Sequence, residues 1–61
     1  MNQEEYATLE RIRAHFIDAL QELEYLGKLP RIRQNLEFDL HELEVYIEMM
    51  REMDGERRTR N

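Results

Sequence analysis

Sixty-one residues carrying a net charge of −5, with no cysteine, no tryptophan and three Gly or Pro positions in all, make one small domain at most. The missing cysteines exclude a disulfide-stapled mini-protein and a thiolate zinc site. No stretch approaches the ~20 apolar residues of a membrane span, and no charged-then-apolar leader opens the chain. A cytoplasmic address is expected, or the host cytoplasm for a phage-encoded protein.

The acidity is concentrated in the body. Without the tail from Asp54 to Asn61, six cations face twelve acids. Such a surface disfavours broad nucleic-acid binding, whose affinity comes from neutralising phosphates. The cations fall in two groups, Lys28, Arg31 and Arg33 around the Gly/Pro break and Arg57, Arg58 and Arg60 in the tail.

In chain order, Asn2 is placed to cap a first helix over about 3–26, with Glu5 returning the hydrogen bond. Leu9, Phe16 and Leu23 at one heptad position and Ile12, Ala19 and Leu26 at another predict its buried stripe, widened by Tyr6 and Leu20. Gly27 suits the left-handed residue that ends the helix, with Leu29 positioned to pack back on it. The turn spans 27–30, and Pro30 fits the first position of a second helix over about 30–54. Its stripe is Leu29, Ile32, Leu36, Leu40, Leu43, Ile47 and Met50, flanked by Tyr46 and Met53. Asn35 offers a later alternative start. Gly55 is the predicted stop, leaving residues 1–55 as a single α-hairpin domain and 56–61 as a disordered basic tail. The fold class is all-α, an antiparallel helical hairpin.

A lone hairpin buries one seam, too little to offset the ordering of two long helices, and stripes this wide exceed what that seam covers. Dimerisation into a four-helix bundle is therefore expected. The dimer interface draws on Leu9, Ile12, Phe16, Leu20, Leu23, Leu36, Leu40, Leu43 and Ile47. Counting outward from the turn sets Arg13 near Glu44 and Asp39 near Asp18 within one chain. A two-fold axis at mid-helix would bring Arg13 of one copy toward Asp39 of the other as a register-fixing ion pair.

Phe38, Val45 and Met49 recur at steps of seven and four on the far side of the second helix, the spacing of a docking ridge for a second protein. Ala7, Ala14 and Tyr25 lie similarly opposite the core on the first helix. Lys28, Arg31 and Arg33 sit at the positive end of the second helix, where an anionic group on a partner would be favoured.

Catalytic patterns are missing. The chain has no serine, no Gly-rich phosphate loop and no His-Glu-x-x-His. His15 and His41 lack the Glu-x-x-His spacing of di-metal bundles, and Glu37 one turn before His41 makes a surface pair. The residues predict no enzyme, no metal and no cofactor.

Two resemblances bear on function. Leu20-Gln21-Glu22-Leu23-Glu24, echoed by Leu40-His41-Glu42-Leu43-Glu44, resembles the Ser-Gln-Glu-Leu-Asp signature of small sporulation-regulator phosphatases, helical hairpins that act on aspartyl phosphate. Here Leu20 replaces the serine and Glu24 the aspartate, on the first helix where that family uses the second. In length and architecture the whole chain is similar to the plasmid-encoded Rop family, whose dimeric hairpins bind paired RNA loops. That family's RNA face is polar and basic on its first helix, whereas here Arg11 and Arg13 stand among Glu10, Asp18, Glu22 and Glu24. The leading expectation is a homodimeric, non-catalytic regulator or adaptor that binds another protein, in the manner of an inhibitor of a host or regulatory protein. RNA binding and aspartyl-phosphate hydrolysis are the alternatives, and no membrane association is expected.

Overall fold

The computed structural model describes the backbone of residues 1–59 and the side chains of residues 1–55. Two antiparallel helices fill it, α1 (Gln3–Leu26) and α2 (Pro30–Thr59). Asn2 caps α1 reciprocally. Its Oδ1 accepts from the Glu5 backbone N–H at 2.8 Å, and its own N–H donates to Glu5 Oε1 at 3.3 Å. Gly27 ends the helix at φ 66°, donating its N–H to the Leu23 carbonyl at 3.1 Å.

Leu29 also adopts positive φ, at 58°. A side chain there strains the backbone by about 1–2 kcal/mol. Its carbonyl accepts from the Arg33 N–H at 3.1 Å and opens α2, so the second helix begins at Pro30 and not at Asn35. The Leu29 side chain, expected to pack back on α1, is half exposed.

At the other end α2 does not stop at Gly55. Gly27 is the glycine with positive φ, and Gly55 continues the helical backbone to Thr59. No proline follows to block that continuation, and glycine weakens a helix interior by only about 1 kcal/mol. Residues 60–61 of the expected tail lie outside the described residues.

The helices meet along a heptad seam. On α1 the partly buried residues Tyr6, Leu9, Arg13, Phe16, Leu20 and Leu23 step by three and four. On α2 the matching row is Arg33, Leu36, Leu40, Leu43, Ile47, Met50 and Asp54. Such steps keep one stripe facing one neighbour. The seam is shallow, however, and among the described residues only Ile47 is buried, at 5% exposure.

The molecule is correspondingly long and thin, with extents of 51 × 18 × 10 Å and a radius of gyration of 14.8 Å. A compact chain of this length has about 10–11 Å. It exposes 5380 Å² at a mass of 7.6 kDa, where a globular monomer exposes about 4300 Å².

Candidate interaction surfaces

Three surfaces follow from the seam, because residues flanking it on the two helices fall on opposite broad faces of the hairpin. The first face is polar. Arg13 donates from Nε to Glu44 Oε2 at 2.9 Å and lies 3.7 Å from Glu10. Arg51 donates to Glu10 at 3.0 Å, and its guanidinium sits 5.4 Å above the Tyr6 ring. The Tyr6 hydroxyl donates to Asp54, which also pairs with the Met1 ammonium at 3.1 Å. Together these contacts strap the two helices across the half of the hairpin away from the turn.

Sequence reading identified one rung of this strap, Arg13 beside Glu44. The other rungs, Arg51 to Glu10 and Tyr6 to Asp54, reach about one helical turn beyond the level that counting outward from Arg13–Glu44 gives, and were missed. Arg13 is thereby engaged within its own chain. The expected pair with Asp39 of a second copy would require Arg13 to leave Glu44, and Asp39 stands on the opposite face.

That second face is apolar and unpaired. Heptad spacing from the seam places Ile12, Ala19 and Leu26 of α1 beside Ile32, Asp39, Tyr46 and Met53 of α2. Leu26, Ile32, Tyr46 and Met53 are each roughly half exposed, and Ile12 is 38% exposed. Two shallow grooves run along it. One, near the turn, has Ala19, Leu23, Leu26, Ile32 and Leu36 on its floor with Asp18, Gln21 and Glu22 along its α1 edge. The other, near the N-terminus, is mixed, with Leu9 and Tyr46 among Asn2, Glu4, Glu5, Thr8 and Arg11.

The residues expected in a dimer interface accordingly divide. Leu9, Arg13, Phe16, Leu20, Leu23, Leu36, Leu40 and Leu43 are half-buried along the seam of one hairpin, and Ile47 is buried there. Ile12 and Asp39 lie on the unpaired face and are exposed. Leu26, Ile32, Tyr46 and Met53 belong to the same face. Ile17, also half-buried, was missed. Its signal was a step of four from Arg13 and three to Leu20.

The third surface is the back of α2. Phe38 is 63% exposed, and Val45 and Met49 are about half exposed. They share the outward side of the helix, as their spacing implies. Tyr25 on α1 is almost wholly exposed. The basic group at the turn does not form one patch. Lys28 and Arg31 are exposed, while Arg33 occupies the first seam position of α2, 3.9 Å from Glu37, with its Nε buried and unbonded.

Among the described residues no group of three or more His, Asp or Glu could hold a metal ion. No described helix is long and apolar enough to cross a membrane. Compared with known proteins, the chain matches no family model, no curated protein and no solved structure.

Proposed function

We propose that this chain is a small non-catalytic regulator or adaptor that pairs with itself and binds another protein. One observation carries the reading: α2 exposes large apolar side chains on two different sides. Ile32, Tyr46 and Met53 flank the seam, whereas Phe38 and Val45 stand on the back with Met49 beside them.

Self-association covers one side only. The flat face beside the seam is as long as the hairpin and suits a second hairpin laid against it. Its closure would yield a four-helix bundle with a continuous core. The excess exposed area, about 1100 Å² over a globular monomer, is of the order that one partner buries in a standard interface, about 800 Å². The Phe38/Val45/Met49 ridge stays outside such a bundle and is available to a different protein. Methionine beside an aromatic ring adapts to irregular surfaces, and flanking acids supply selectivity.

The test separates the two surfaces. Phe38→Ala with Met49→Ala should leave the dimer intact by light scattering coupled to size exclusion, and should abolish recovery of a partner that the unmodified protein retains. Unchanged recovery would end the ridge reading. Nucleic acid that co-purifies and is released by salt would replace it with an RNA adaptor using Lys28 and Arg31. Turnover of acyl phosphate on a response-regulator receiver would replace it with the phosphatase reading.

A further inference from the structure

The dimer reading leaves open how the two hairpins face each other, and the unpaired face contains the information. The Arg13–Glu44 rung fixes the level of each residue along the hairpin. To within one residue, Leu26 is level with Ile32, Ala19 with Asp39, and Ile12 with Tyr46. Met53 falls level with the first turn of α1. Two carboxylates interrupt this largely apolar strip, Glu5 at its N-terminal end, engaged in the Asn2 cap, and Asp39 near its middle, and the Tyr46 hydroxyl stands two helical turns from Asp39 along the same helix.

We infer that two copies close this face on each other with their turns at opposite ends, so that Asp39 of each copy accepts a hydrogen bond from Tyr46 of the other. The inference rests on the dimer reading above.

Two arrangements of a face-to-face dimer are available. With both turns at one end, each level meets itself. Asp39 then lies over the other copy's Ala19, and two carboxylates share one buried level with no donor. Burying an unpaired carboxylate is strongly unfavourable. With the turns at opposite ends, α2 runs antiparallel over its own copy. Asp39 meets Tyr46 twice, Ile32 meets Met53 twice, and Ile12 lies over the small Ala19.

The ends agree with this choice. Turns at one end would gather exposed Lys28 and Arg31 from both copies. Turns at opposite ends bring these cations to Glu4 and Glu5 in the first turn of the other α1.

The chain has no cysteine, so a single Lys28→Cys substitution at the exposed turn accepts one spin label per copy. Lys28 lies about 13 residues from mid-height, which at ~1.5 Å per residue predicts about 40 Å between the two labels. Turns at one end would give a separation within about 20 Å and would overturn the orientation. If the label disturbs the turn, Arg31→Cys reads the same difference at about 35 Å.

Sedimentation at the same concentration gives the other arm. A monomer would overturn the dimer reading itself, a failure distinct from a short distance in a dimer. Tyr46→Phe should weaken dimerisation about tenfold in the native background and leave it unchanged in an Asp39→Ala background. Equal losses in both backgrounds would overturn the Asp39–Tyr46 pair.

Discussion

The two glycines of this chain have opposite jobs, and substitution should separate them. Gly27 sits at φ 66° with open space around it, so a methyl group there meets only the backbone penalty of the left-handed region. Gly27→Ala should destabilise the hairpin by about 1 kcal/mol in urea titration. Gly55 lies inside a continuing helix with nothing near its Cβ direction. Gly55→Ala should therefore stabilise by up to about 1 kcal/mol and raise helical ellipticity. At the start of α1, removing the Asn2 cap by Asn2→Ala should destabilise by about 1 kcal/mol, read in the same titration.

Between the helices, burial outranks charge. Ile47→Ala empties the deepest position of the seam and should destabilise by about 3 kcal/mol. Arg13→Ala removes a contact between side chains that are each about 40% exposed, and solvent screening holds its effect below about 1 kcal/mol. Thermal unfolding of the pair of variants checks this order. The seam also shows what was readable from sequence. The cap of α1, the turn and the start of α2 are local, and Asn2, Glu5, Gly27 and Pro30 each announce themselves by residue type, whereas Gly55 did not mark the end of α2. The phase of the stripe was harder. Apolar side chains at Ile12, Ala19 and Leu26 and at Leu9, Phe16 and Leu23 share one wide band, and periodicity alone does not say which edge faces the sister helix. Arg13 obscured the answer, because a charged residue at a seam position reads as a flank until its side chain is seen partly buried and its head engaged by Glu44.

For the whole molecule, a second copy should make stability depend on concentration. The midpoint of thermal unfolding should rise as protein concentration increases, as mass action requires of a dimer. Ile32→Lys, on the unpaired face, should lower that midpoint and abolish its concentration dependence. Phe38→Lys, on the back of α2, should preserve the concentration dependence. Both surfaces were legible as apolar spacing. Which one belongs to a second copy was not, because that depends on where the polar strap lies, and the strap joins residues some 31 to 53 positions apart.

That strap has a kinetic consequence. Its rungs lie in the half of the hairpin that contains the chain ends, while Leu26, Leu29 and Ile32 near the turn stay half exposed. Chain ends usually open first, but here the covalently joined end is the less secured one. Amide hydrogen exchange on diluted protein should find Leu36 releasing its proton sooner than Ile47, with the order of opening running from the turn toward the termini.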